Sequence, residues 1–172
     1  MGLTLTNNHI EVQYDRKSLL EEILGQFQIH SDGYHGVSHW ARVRHHALKV
    51  GALVGADLLV VELFSYLHDS RRQDEDADQG HGERAADYAF SLNGKYFDLK
   101  ASRLDNLCEA IRHHSGGQIH KDPTIQTCWD ADRLDIGRVG IKPSARFLST
   151  HAAAFIEEAF DWSRKKERAS LT

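Results

Sequence analysis

Cysteine is nearly absent from this chain: only Cys108 and Cys128 occur, with no Cys-x-x-Cys pair. That excludes a disulfide scaffold and a thiolate zinc ribbon, and it suits a reducing, cytoplasmic setting. Proline is equally scarce, with Pro123 and Pro143 alone to interrupt helices. No apolar run reaches the roughly 18 residues of a membrane span, because the most apolar stretch, 50–67, contains Asp57 and Glu62. It reads as two core helices. The net charge of −4 gives no basic footprint for a nucleic-acid polymer. No signal peptide is visible at the start. Met1-Gly2 with Thr6 matches an N-myristoylation pattern that is too short to weigh. Strand-like alternation, internal repeats and low-complexity linkers are missing as well.

Histidine, by contrast, is abundant, with twelve in 172 residues. Such an excess invites a metal site. The length suits one domain spanning 1–172, large enough for a real core. Apolar residues recur at helical spacing through most of it. Helices are predicted over 18–29, 37–54, 58–68, 81–92, 102–114 and from 124, with a last one over 144–166 that breaks near Ser149-Thr150. Asp15 or Ser18 is a candidate cap for the first and Asp57 for the third. Asn93-Gly94 reads as a helix stop. Residues 1–16 form a polar lead-in, and 165–168 a frayed basic tail. The fold class is therefore all-α, an orthogonal helical bundle with a metal site between helices.

The most informative pair is His68-Asp69, at the end of an apolar helix. An imidazole binds one ion, and a carboxylate has two oxygens with which to bind that ion and bridge to a second. At a fraying helix end both side chains can turn to one centre. His39 lies one helix earlier. Asp132 sits on a mostly apolar helix, where a charge needs a partner. Two imidazoles and two carboxylates suit Mn, Fe, Co, Ni or Zn.

The order His39, His68-Asp69, Asp132 resembles the HD-domain superfamily of metal-dependent phosphohydrolases. His39-Trp-Ala-Arg-Val43 is similar to that family's first motif, Leu67-His-Asp69 to its second, and Asp130-Ala-Asp-Arg-Leu-Asp135 to its last. The resemblance spans about residues 35–140, with the C-terminal helix packing on that core. It implies an all-helical fold and a metal held by His39, His68, Asp69 and Asp132. Some members hold two metals, and His81-Gly-Glu-Arg-Ala85 and Ile111-Arg-His-His114 are similar to the segments that bring the further ligands, here His81 and His114. One ion or two divalent ions (Mn, Fe, Co, Ni, Zn or Mg) are therefore both open.

The activity so implied is in-line attack of activated water on a small phosphorylated substrate, a metabolite or a nucleotide, with no nucleic-acid polymer and no membrane as partner. Arg71, Arg72 and Arg133 are candidate phosphate clamps, since guanidinium binds phosphate oxygens bidentately; Arg133 stands where some members touch phosphate. Arg42 is a weaker candidate. Arg71 and Arg72 lie among Asp74, Glu75, Asp76 and Asp78, so a solvated ion-pair cluster is their alternative. Glu83, His35, His46 and His113 are candidate proton donors, and His113 is also a candidate substrate group. Asp130 is expected to orient a ligand or cap its helix, and Asp135 to serve in a salt bridge or in helix packing. Trp40, Trp129 and Trp162 read as core. A mixed-valence di-iron oxygenase, using all six ligands, and a catalytically silent sensor are the competing functions. A homodimer is a further expectation.

Overall fold

The computed structural model describes residues 14–165 and 169–171. The polar lead-in before Tyr14, the Met1-Gly2 pattern, His9 and most of the basic tail lie outside the described residues. Helix α1 spans Arg16–Gly25, α2 Val37–Val54, α3 Leu58–Leu67, α4 His81–Leu92, α5 Ala101–His113 and α6 Pro123–Leu134. Two 3-10 turns, Asp135–Val139 and Ala145–Phe147, lead into the short α7, Thr150–Ala153, and α8, Ile156–Ser163. No strand is present among the described residues, apart from one isolated bridge between Asn93 and Phe97.

Local chemistry sets the helix ends. Asp15 caps α1, Asp57 caps α3 and Asp122 caps α6, each carboxylate accepting first-turn backbone N–H groups. Pro123 begins α6, where its missing N–H costs nothing. Gly55 ends α2 at φ +70, a left-handed position that glycine takes without strain. Asp57 does more than cap, because its carboxylate also takes Arg103 of α5 and its N–H reaches Thr124 of α6.

Packing follows the apolar stripes. Helix α2 lies against α3 and α6, α4 lies against α5, and α5 closes on α3 and α6. Trp40, Phe64, Tyr66, Leu67, Leu107, Ile111 and Trp129 fill the centre and are fully or almost fully buried. Trp129 Nε1 donates to the Ala110 carbonyl at 2.9 Å, so the indole is satisfied while buried. Gly82 fixes the α4–α5 crossing: a Cβ there would lie 2.7 Å from the Arg112 carbonyl oxygen. That approach brings His81 next to His114.

The C-terminal part breaks near Ser149-Thr150 as expected, and it is divided further, into a 3-10 turn and two short helices rather than two parts of one helix over 144–166. Leu148 is extended, and Ser149 then caps α7 by accepting from Ala152 N. Asp130 accepts from Gln126 Nε2, Ser149 N and Ser149 Oγ, at 2.7, 3.0 and 2.5 Å. It therefore anchors this segment rather than orienting a metal ligand. Trp162 is half-buried instead of core, with its ring edge-on to His45 and His46.

His46 is enclosed there, and its Nε2 has no hydrogen-bond partner among the described residues. Burial pushes its pKa down to about 4, whereas an unfolded imidazole titrates near 6.5. Between those values the unfolded chain binds more protons, so stability falls as pH drops through the window, by up to about 3 kcal/mol. Urea midpoints at pH 7 and pH 4.5 test this: His46→Leu should lose less stability between the two than the parent. Equal losses would show that His46 carries no part of the acid sensitivity.

Candidate metal centre

Helix ends deliver the site. His68 is the C-cap of α3 and His114 the C-cap of α5, while Asp132 lies in the last turn of α6. These C-termini carry partial negative charge and favour a cation between them. His39 comes from the first turn of α2, and His81 opens α4. Asp69 follows His68 directly, in the turn that leaves α3.

Two clusters share Asp69. In one, His39 Nε2 and His68 Nε2 are 3.0 Å apart. Asp69 Oδ2 lies 3.5 Å from each of them, and Asp132 Oδ1 lies 3.3 Å from His39 and 3.7 Å from His68. In the other, His81 Nε2 and His114 Nε2 are 3.0 Å apart, with Asp69 Oδ1 at 3.3 and 3.5 Å. Five of the six are buried, and the sixth, Asp132, has a side chain partly exposed to a cleft. Each half of the Asp69 carboxylate thus faces its own pair of imidazoles.

The ring nitrogens turned away from the centre are all engaged. His39 Nδ1 faces Asp135 Oδ2 at 2.7 Å, His68 Nδ1 the Phe64 carbonyl at 3.1 Å, and His114 Nδ1 the Ile111 carbonyl at 2.7 Å. His81 Nδ1 faces the Asp78 carbonyl. A carbonyl or carboxylate there fixes the proton on Nδ1 and turns the Nε2 lone pair inward. Four such lone pairs and two carboxylates converging in a buried space demand positive charge, and the donor set fits divalent metal ions.

The titration pattern carries the same demand. Burial and Arg138 push His39 down, but hydrogen bonds with Asp132, Asp135 and Asp69 outweigh them and hold it at about 9. Burial drives its partner His68 down to about 3 against the pull of Asp69 and Asp132. In the second cluster, burial opposes but Asp69 raises His114, while burial and His114 lower His81. Asp69 and Asp132 resist the upward push of burial and are held below the carboxylate range by the surrounding imidazoles. In each half the carboxylates favour the charged form of one imidazole, and burial disfavours it in the other.

The centre opens into a cleft of about 750 Å³. Arg72, Arg133, Arg138, Lys142, Arg112, His35 and His113 line it, with an apolar wall from Ile136, Ile141, Pro143 and Phe147. Lys142 is paired with Glu157 and Arg112 with Glu83. Arg72 is buried, its Nη1 3.9 Å from Asp69 Oδ1 and 3.2 Å from His81 Nδ1. Arg133 donates to the Phe147 carbonyl and lies over the Trp129 ring. Arg72 Nε and Arg133 Nη2 are buried without a hydrogen-bond partner among the described residues.

His39, His68, Asp69, His81, His114 and Asp132 thus come together, and Arg72, Arg133 and His113 line the cleft. Arg71 does not. It follows Asp69 in a tight turn, and its side chain leads away to the Gln26 carbonyl and the Tyr88 ring. Arg42 is likewise no clamp, because it is buried against Asp135 at 2.5 Å. Asp135 is in a salt bridge as expected, but it also orients His39, a role signalled only by its place one turn beyond Asp132.

Among solved structures, the chain is similar to one described as a predicted HD superfamily hydrolase from an uncultured Thermotogales bacterium. The two share 26% identity over 86% of each chain, with a TM-score of 0.67. No protein-family model and no curated protein matches the sequence.

Proposed function

We propose that this chain, which has the helical fold of the HD superfamily, is a metal-dependent phosphohydrolase acting on an ester or anhydride of a small phosphorylated metabolite or nucleotide. The observation that carries this reading is Asp69, whose two oxygens each face one pair of imidazoles in a buried, cation-demanding centre. Bound there, a divalent pair supplies water with a pKa of about 7 and neutralises charge on phosphoryl oxygens.

The protein's own groups do the positioning. Arg72 Nε and Arg133 Nη2 each hold an N–H that a phosphate oxygen would satisfy, and leaving them unmet in a buried wall is costly. Arg138 adds a third guanidinium, tied to the Tyr34 and Asp135 carbonyls and, among the described residues, to no carboxylate that would cancel its charge. Ile141, Pro143 and Phe147 offer an apolar surface to the rest of the substrate. A di-iron oxygenase would use the same six ligands; the guanidinium-lined cleft suits an anionic substrate such as a phosphate ester.

The test is release of phosphate and pyrophosphate from a panel of nucleotides and sugar phosphates with added Mn²⁺, beside an Asp69→Ala control. Release that the control abolishes supports the reading. Release that is equal in the control overturns the metal assignment. Bound iron with oxygen uptake, in place of phosphate release, favours the oxygenase.

A further inference from the structure

Cleavage of an ester leaves an oxygen that needs a proton, and four side chains were candidates to supply it. The fold disposes of two. His46 is enclosed beside Trp162 and does not line the cleft, and Glu83 is exposed and holds Arg112 at 2.9 Å. His113 reaches the cleft mouth, but it is exposed and lies 3.7 Å from Glu109 of the same helix.

His35 is placed differently. Its side chain is 12% exposed and lines the cleft. Its ring stands edge-on to that of His39, with centroids 6.3 Å apart, yet it belongs to neither ligand cluster. Glu75 Oε2 is 2.7 Å from its Nδ1, and the Trp40 indole N–H holds its backbone carbonyl at 2.9 Å. Glu75 is seated in turn: its carboxylate packs against Gly33, where a Cβ would overlap Oε1, and that oxygen is buried without a hydrogen-bond partner among the described residues. The loop from Asp69 to Gly80, which could have been a solvated ion-pair cluster, thus presents one carboxylate to one imidazole. A carboxylate on Nδ1 fixes the ring and leaves Nε2 as the nitrogen that exchanges a proton with the cleft; burial favours the neutral ring, and Asp69 and Glu75 pull the other way without fully offsetting it.

We propose that His35, oriented by Glu75, is the general acid that protonates the departing oxygen. The proposal rests on the hydrolase reading above. As the water oxygen bonds to phosphorus, the bond from phosphorus to the leaving oxygen breaks, and that oxygen's electron pair takes the proton from His35 Nε2. Ester and water become alcohol and phosphate; the proton shed by the attacking water passes to solvent, and His35, left neutral and still held by Glu75, regains one from solvent through the open cleft.

The test uses full-length protein loaded with Mn²⁺ and two probes, phenyl phosphate and 4-nitrophenyl phosphate, the second with a leaving group that needs little protonation. His35→Gln is expected to lose about 100-fold or more in kcat on phenyl phosphate, the scale of general acid catalysis, and only a few-fold on 4-nitrophenyl phosphate. Glu75→Gln should show the same selectivity to a smaller degree, with Mn²⁺ content unchanged in both variants. Equal losses on the two probes, or none, overturn the assignment. If the parent releases phosphate from neither probe nor from the nucleotide and sugar-phosphate panel, the hydrolase reading fails and the general acid with it.

Discussion

Asp69→Ala is expected to empty both halves of the centre, whereas His114→Ala should empty only one. Asp69 Oδ2 serves the His39–His68 pair and Oδ1 the His81–His114 pair, so one side chain supports two sites. His114 Nε2 faces only His81 and Asp69 Oδ1, although its ring also stands edge-on to that of His68. Metal analysis after reconstitution with excess Mn²⁺ and desalting should find two ions per chain in the parent, one in His114→Ala and none held tightly in Asp69→Ala. Turnover of any substrate found should fall on the order of 1,000-fold in Asp69→Ala, the scale of losing a preorganised charge at the reacting centre. Two ions retained in Asp69→Ala would refute the bridging role. A parent that binds a single ion, lost in His114→Ala, would move the metal to the second cluster alone.

Asp135→Asn should separate metal affinity from stability. Asp135 is fully buried and accepts from His39 Nδ1 at 2.7 Å and from Arg42 Nε and Nη2 at 2.5 and 3.1 Å. Burial pushes its carboxyl up, but His39 and Arg42 win and hold it below its ordinary value. Asparagine keeps the shape and removes the charge. The His39 ring then loses its carboxylate partner, a change that costs about 10–100-fold in metal affinity at comparable sites. The Arg42 guanidinium is left buried without a counter-ion, which costs about 3–5 kcal/mol. Metal titration should show the loss at the His39 half alone, and urea unfolding of metal-free protein should show the destabilisation. Adding Arg42→Met should restore much of the stability and none of the affinity. Recovery of both would mean that Asp135 acts on the metal only through folding.

Some of this was legible in the chain, for identifiable reasons. Helical period and capping residues are local, so α2, α3, α4 and α5 fall within a residue or two of their expected bounds, and α6 starts within one. His39, His68, Asp69 and Asp132 were legible as imidazoles and carboxylates on apolar helices, where a charge needs a partner, whereas His81 and His114 rested on the resemblance to the HD superfamily. The C-terminal break was weaker in sequence, since it depends on Asp130 reaching across to Ser149. Arg71 and Arg72 are adjacent and alike, and nothing in their order says which one turns inward.

What the sequence determined by itself was the helical class, most helix ends and the pairing of His68 with Asp69; the full set of six candidate donors needed the family resemblance as well. What only the tertiary structure decided was direction. Packing of α3 on α5 and α2 on α6 sets which imidazoles meet, which oxygen of Asp69 each pair faces, and why Asp135 rather than Asp130 stands behind His39. It also joins Glu75 to His35 across forty residues. Side-chain direction at helix ends and in loops is fixed by neighbours distant in the chain, and local spacing carries no record of them.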